Sequence, residues 1–253
     1  MDLGLRGRRA IVTGATRGIG WHTAAVLADE GCDVGICSRD EADVAAAVAR
    51  LEEKGVRAFG RAVDVSDGPA LQAWVREAAE ALGGLDVVVP NVSSLGAGEG
   101  DEAWRMAFDV DLMHTVRTVE ASLPYLASSG AASIVVVSSI ACRAIGPFEG
   151  PYPTFKAALI RYVAGLAADL AADGIRANAV SPGTIYFEDG FWGRMERDNP
   201  EFFAMGLGRN PMGRMGTPEE VGRAIAFLAS PASSFTTGAN LVIDGGLSRG
   251  VQL

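Results

Sequence analysis

Arg9-Ala10-Ile11-Val12-Thr13-Gly14-Ala15-Thr16-Arg17-Gly18-Ile19-Gly20 is the stretch that decides how this chain folds. A short apolar run ends in a glycine-rich turn, and an Ala-rich segment with helical periodicity, Ile19–Glu30, follows at once. Glycines allow a tight turn and a close backbone approach, so a helix N-terminus can face a pyrophosphate. Three glycines alone are weak, because a strand–helix turn that binds nothing looks the same. Their place after a first strand and before a helix gives them weight. Gly14, Thr16, Arg17, Gly18, Ile19 and Gly20 are therefore candidate cofactor-binding positions.

The same rhythm runs outward from this turn. Strands are expected at Arg9–Val12, Asp33–Cys37, Arg57–Val63, Asp86–Pro90, Ser133–Val137, Arg176–Val180 and Asn240–Ile243. Between them, helices are expected at Ile19–Glu30, Glu41–Lys54, Pro69–Leu82, Glu102–Leu126, Tyr152–Asp173 and Glu219–Ala229. Alternation of this kind implies βαβ units and a parallel sheet covered on both faces. Runs such as Ile134-Val135-Val136-Val137 do not alternate in polarity, as a strand buried on both faces should not. The fold class expected is α/β, a Rossmann-type doubly wound parallel sheet of seven strands. No repeat, linker or low-complexity tract interrupts the chain, so 1–253 reads as one domain. From Pro182 to about Thr217 the periodicity weakens and Gly, Pro, Met and aromatic residues crowd together. A long irregular stretch in a compact domain is more often a functional lid than a packing element, and it is placed at about 184–216.

Composition narrows the function classes. The 253 residues are 49% hydrophobic and carry a net charge of −9, which gives no support to a nucleic-acid or anionic-membrane partner. Cys32, Cys37 and Cys142 lack metal-like spacing and suit a reducing compartment; with only two histidines, no metal site is expected. No apolar run reaches the ~18 residues of a membrane span, and a cytoplasmic location is expected.

The second strand sets the cofactor. An acid at its end would accept hydrogen bonds from ribose hydroxyls, whereas this chain has Ser38-Arg39. A guanidinium pairs with a 2′-phosphate that a carboxylate would repel, and Arg17 adds a second cation, so NADP is expected. Asp40 argues the other way, but it stands where it can cap the helix beginning at Glu41.

Tyr152-Pro153-Thr154-Phe155-Lys156 opens a long helix, and positions four apart share a face. A cation beside the phenol favours tyrosinate and lowers its pKa, so Tyr152 can serve as general acid or base. Ser139, at the end of the fifth strand, can hydrogen-bond the reacting oxygen. In isolation, a Tyr-x-x-x-Lys is more often an ordinary surface helix turn.

Taken together, the glycine loop, Asn91, Ser139, Tyr152-x-x-x-Lys156 and Pro182-Gly183 resemble the short-chain dehydrogenase/reductase family in identity, order and spacing. Gly213-Arg214, Pro218-Glu219-Glu220-Val221, Thr237-Gly238 and Asp244-Gly245-Gly246 extend the resemblance over essentially the whole chain. The nearest functional analogy is to bacterial 3-oxoacyl-acyl-carrier-protein reductases, although no Lys/Arg cluster suits an acidic carrier protein. The resemblance implies that Tyr152 exchanges a proton with the substrate oxygen, Ser139 orients that oxygen, and Lys156 binds the nicotinamide ribose. It further implies that Asp64, Val65 and Asn91 lie along the adenosine half, that Pro182, Gly183 and Ile185 line the nicotinamide pocket, and that the chain forms a homotetramer or homodimer through the helices 102–126 and 152–173.

Three departures from the family pattern stand out. Asn91-Val92-Ser93 replaces Asn-Ala-Gly; Asp111 occupies the place of a fourth catalytic Asn; and Phe187 stands where a Thr often follows Pro-Gly. If Asp111 merely fills the relay position, Asp111→Asn is expected to be neutral or beneficial. The lid aromatics Tyr186, Phe187, Phe191, Trp192, Phe202 and Phe203 either enclose an apolar substrate or dock the lid. The expected function is an NADP-dependent ketone–alcohol oxidoreductase; the alternative is a catalytically weakened NADP-binding sensor.

Overall fold

In the computed structural model, which describes residues 2–96, 100–143 and 149–249, seven parallel strands form one sheet. They are β1 (Arg9–Thr13), β2 (Asp33–Ser38), β3 (Ala58–Ala62), β4 (Val87–Val89), β5 (Ser133–Val137), β6 (Arg176–Pro182) and β7 (Asn240–Ile243). Their order is β3-β2-β1-β4-β5-β6-β7, so the chain reverses direction between β1 and β4, the crevice where doubly wound sheets bind ligands. The expected strands are all present; β3 and β4 are shorter at both ends than the apolar runs suggested, because pairing stops before those runs do.

Helices α1 (Gly18–Asp29), α2 (Glu41–Glu52), α3 (Gly68–Leu82), α4 (Gly100–Ala107), α5 (His114–Leu126), α6 (Pro151–Leu170), α7 (Phe191–Asp198), α8 (Pro200–Gly208) and α9 (Pro218–Ala229) complete the chain. Odd and even strand positions feed different layers. Val12, Ile36, Val135 and Val137 pack against α1 and α9, through Trp21, Ala24, Leu27 and Ile225. Ile11, Val88, Ile134 and Val136 pack against α3, α5 and α6, through Trp74, Val119, Leu159 and Val163. All five residues of β5 are buried, as its unbroken apolar run requires.

Two expectations are corrected. The helix expected as one piece over Glu102–Leu126 is interrupted by a π turn at Phe108–Met113 between α4 and α5. The segment expected to be irregular contains α7 and α8. Asn199 marks their junction: its side chain accepts a hydrogen bond from the Phe202 amide (3.1 Å) and Pro200 takes the first helical position. Asp40 caps α2 as expected, accepting from the Asp43 amide at 2.8 Å. Among the described residues no helix is long and apolar enough to cross a membrane.

The first βα turn is held by close approach. A Cβ added to Gly20 would lie 2.2 Å from the Gly14 carbonyl oxygen and 2.6 Å from Asn91 Nδ2. Gly20→Ala therefore forces β1 and α1 apart. A loss of about 1–3 kcal/mol, typical of overpacking, is expected in urea unfolding.

Candidate active site

The residues singled out from the sequence converge on the carboxyl edge of the sheet. Thr13 ends β1 and Gly14 follows it, Ser38 ends β2, and Asp64 follows β3; Asn91 follows β4, Ser139 follows β5, and Pro182 ends β6 with Gly183 next. Asn91 ties the two central strands together, with its amide donating to Thr13 Oγ1 (2.9 Å) and its Nδ2 to the Thr13 carbonyl (3.0 Å). Thr16 Oγ1 donates to Ser38 Oγ at 3.2 Å, which joins the glycine loop to the end of β2. Arg17 and Arg39 are exposed at this edge. Asp64 is exposed too; hydrogen bonds from the Ser66 hydroxyl and amide hold its carboxyl below the usual range, and the charge of Arg39 acts in the same direction. Val65 beside it is buried.

The cradle fits a diphosphate. Arg17, the residue before α1, makes no side-chain cap bond, and the first turn of α1 carries no acid. Its amides are thus left for an anion. Val92 packs onto Gly14, where an added Cβ would lie 2.7 Å from Val92 Cγ2. The ring of Phe187 covers Gly18: an added Cβ there would lie 2.6 Å from Cζ. The residue standing where a hydroxyl was expected thus packs on the loop itself.

Beside this cradle stands the Ser139–Tyr152–Lys156 group. Ser139 hydrogen-bonds the Tyr152 side chain and also accepts from the Ala141 amide (3.1 Å), which shapes the short turn after β5. Lys156, four residues after Tyr152 in the same helix, donates from Nζ to the Val137 carbonyl (3.1 Å) and lies 5.9 Å from the Tyr152 ring centroid. Ser138 Oγ donates to the Lys156 carbonyl at 2.9 Å, fixing α6 against β5.

The expected lowering of the Tyr152 pKa is not what the structure shows. Burial pushes the phenol up to about 12, against the Ser139 hydrogen bond, and the charge of Asp111 adds to the rise. Lys156 is lowered, first by its own burial, with Asp111 opposing. Asp111 Oδ1 lies 3.5 Å from Lys156 Nζ, with the two side chains 0% and 2% exposed, so the ammonium is already paired.

Asp111 sits on the π turn and is bound from a second side. Ser93 Oγ donates to its Oδ1, and both the hydroxyl and the amide of Ser94 donate to its Oδ2. Val92-Ser93 and Asp111, which look like separate departures in the sequence, include two complementary halves of one buried network. The loop is strained to make it. Leu95 adopts φ 56°, a left-handed conformation rare for a branched residue, while the Leu95 and Gly96 amides donate to the Ser93 and Ser94 hydroxyls.

His114 supports the turn from below. Its Nδ1 faces the Val110 carbonyl (2.9 Å), so Nδ1 carries the proton and Nε2 accepts from Thr13 Oγ1 (2.9 Å). Burial pushes His114 down to about 4, which keeps it neutral. The His114 amide bonds back five residues to Asp109, which leaves the Val110 carbonyl to the ring. Ser93, Ser94, His114 and Thr13 were not among the expected site residues. Two hydroxyls directly after Asn91-Val92 were the visible signal.

Within residues 184–216, Trp192 and Phe202 stack (5.6 Å, 6°), and Phe191 and Phe203 meet Trp192 edge-on. These rings join α7 to α8 within the segment. The segment is anchored at its base by Thr184 Oγ1 donating to the buried Asn210 (2.8 Å) and by backbone bonds between Thr184, Tyr186 and Gly216.

Comparison with known proteins agrees with this fold. The family described as enoyl-(acyl carrier protein) reductase matches residues 14–248. Isoepoxydon dehydrogenase of Penicillium expansum is 36% identical over 260 residues, covering 100% of this chain and 99% of that protein. Cis-4-hydroxycyclohexanecarboxylate dehydrogenase of Sinomonas cyclohexanicum is 38% identical over 248 residues, covering 94% and 96%. The crystal structure of L-sorbose reductase from Gluconobacter frateurii, complexed with NADPH and L-sorbose, superposes with a TM-score of 0.91 at 29% identity, covering 99% and 100%.

Proposed function

Because the chain belongs to the short-chain dehydrogenase/reductase family, whose members include the oxidoreductases of alcohols and carbonyls just described, we propose that it interconverts a ketone and a secondary alcohol with NADP. The observation that carries this reading is the Ser139–Tyr152 hydrogen bond with Lys156 beside it, set next to a glycine loop at the carboxyl edge of the sheet.

Bound NADPH would supply the hydride for reduction and NADP+ would take it back in oxidation, and this chain's residues would do the rest. The α1 amides from Gly18 onward and the hydroxyl of Thr16 would hold the diphosphate, with Ile19 behind them. Ser38, Arg39 and Arg17 would hold the 2′-phosphate end; Asp64, Val65 and Asn91 would lie along the adenosine. Pro182, Gly183, Ile185 and Lys156 would border the nicotinamide side. Ser139 orients the substrate oxygen by hydrogen bond. Tyr152 gives that oxygen a proton during reduction and takes it back during oxidation.

A small cyclic or polyol ketone suits the site better than a carrier-bound acyl chain. The relatives and neighbour named above are a cyclohexane-carboxylate dehydrogenase, an isoepoxydon dehydrogenase and a sorbose reductase, and the surface is acidic, with net charge −9. Residues 184–216 act as the lid. We also propose a cytoplasmic homotetramer, or homodimer, built on α4–α6. Trp104, Met106 and Phe108 are exposed there, and the rings of Trp104 and Phe108 gather around Phe155.

Reduction of 4-oxocyclohexanecarboxylate and of L-sorbose, followed with NADPH and NADH in parallel, tests the reading. NADPH is expected to be preferred, and Arg39→Asp to reverse the preference by removing the 2′-phosphate partner and adding a repelling charge. A wild type that binds NADH more tightly would contradict the assignment of Arg39.

A further inference from the structure

A lone lysine four residues from a tyrosine would pull the phenol toward its anion. Here the lysine is not alone. Asp111 is fully buried 3.5 Å from Lys156 Nζ, and three donors from Ser93 and Ser94 hold the same carboxylate. We propose that Asp111, clamped by Ser93 and Ser94, is a positioning residue that cancels the charge of Lys156 at Tyr152 and keeps the phenol protonated. The centre then donates a proton over a wide pH range and accepts one only in alkaline solution.

The argument is one of charge placement. A single ammonium 5.9 Å from the ring centroid acts as a monopole, and the field of a monopole in a buried site is strong. A carboxylate against that ammonium turns it into an ion pair, whose field falls off faster. The direction agrees with the rise of Tyr152 to about 12, in which burial comes first and the charge of Asp111 contributes.

Among the described residues, the groups that face this pair from the surrounding elements do not supply a replacement cation. The α4–α5 helix contributes Asp111 and, behind it, His114, which burial keeps neutral. The turn after β5 contributes Ser139 and the Cys142 thiol, whose influence on Tyr152 also raises it. The helix α6 contributes Lys156 itself.

The functional consequence rests on the ketone–alcohol reading above. A catalyst cannot move the overall equilibrium, so what shifts is the pH range of each direction. Reduction needs the phenol and persists to high pH; oxidation needs the phenolate and rises only as pH approaches the phenol midpoint. Asp111→Asn removes the countercharge while keeping the shape, so it is not the neutral change that the family pattern alone suggests.

The test is an ultraviolet phenolate titration of the full chain, which needs no substrate. Subtracting the Tyr152→Phe curve isolates this phenol from Tyr125, Tyr162 and Tyr186. The wild-type midpoint is expected above the ordinary value of about 10. In Asp111→Asn it is expected to fall by at least about one pH unit, a tenfold gain in phenolate at a fixed pH below the midpoint. A merely structural role for Asp111 would not lower it. A wild-type midpoint below about 10, or an Asp111→Asn midpoint that stays or rises, overturns the proposal. If Asp111→Asn does not fold, Asp111→Ser, which also removes the countercharge, takes its place, and a midpoint that stays or rises in it overturns the proposal. Failure to reduce any ketone would instead refute the functional reading and leave the titration standing.

Discussion

Tyr152→Phe is expected to lower ketone reduction by at least about 10²–10⁴-fold, the usual worth of general acid catalysis, with NADPH binding unchanged. Reduction of a carbonyl builds negative charge on its oxygen, and that charge must be met by a hydrogen bond and then by a proton. Ser139 can give the first; among the groups gathered here only the Tyr152 hydroxyl, hydrogen-bonded to Ser139, stands ready to give the second. The substitution deletes one oxygen and keeps the ring, so the start of α6 and the contacts of Lys156 persist. Steady-state kinetics and NADPH titration on the same preparation separate the two effects. A variant that loses NADPH binding along with activity would place Tyr152 in folding rather than chemistry.

Lys156→Met should do more damage, and of two kinds. The ammonium is 2% exposed and pairs with a carboxylate that is 0% exposed. Removing it leaves Asp111 charged and buried, a situation that typically costs about 3–5 kcal/mol. Ser93 and Ser94 still donate to Asp111, so the lower end of that range is expected in urea unfolding. Activity should collapse as well, because Lys156 borders the cofactor side of the phenol. The double variant Lys156→Met/Asp111→Leu should recover much of the stability, since an apolar pair can replace a buried ion pair, while activity stays lost. Equal destabilisation in the single and double variants would show that the pair carries no uncompensated charge.

The contrast between these two residues shows what was legible in the sequence. Glycines 14, 18 and 20, Ser139, Tyr152 and Lys156 could be placed because strand ends and helix starts bring them to one edge of a parallel sheet, which their order along the chain predicts. The unbroken apolar run of β5 was readable for a similar reason, since both of its faces are covered. Other features had no local signature. The π turn at Phe108–Met113 is a change of hydrogen-bond register stabilised by contacts made across the fold, from Val110 to His114 and from His114 to Thr13. The rise at Tyr152 comes first from burial, and Asp111, which adds to it, is 41 positions away in sequence and meets Lys156 only in three dimensions. Helices α7 and α8 were hidden by their Gly and aromatic content, although Asn199-Pro200 is a cap-and-start pair that periodicity alone passes over.

Transfer of deuterium from NADPH labelled at C4 of the nicotinamide to the carbinol carbon of the alcohol product tests the central claim most directly. The account predicts alcohol carrying the label from one face only, with one NADPH consumed per alcohol formed and label transfer by Tyr152→Phe slowed by at least about 10²–10⁴-fold. Tight NADPH binding without consumption in the presence of 4-oxocyclohexanecarboxylate, L-sorbose and simple cyclic ketones would contradict it, and would make the chain a cofactor-binding sensor instead.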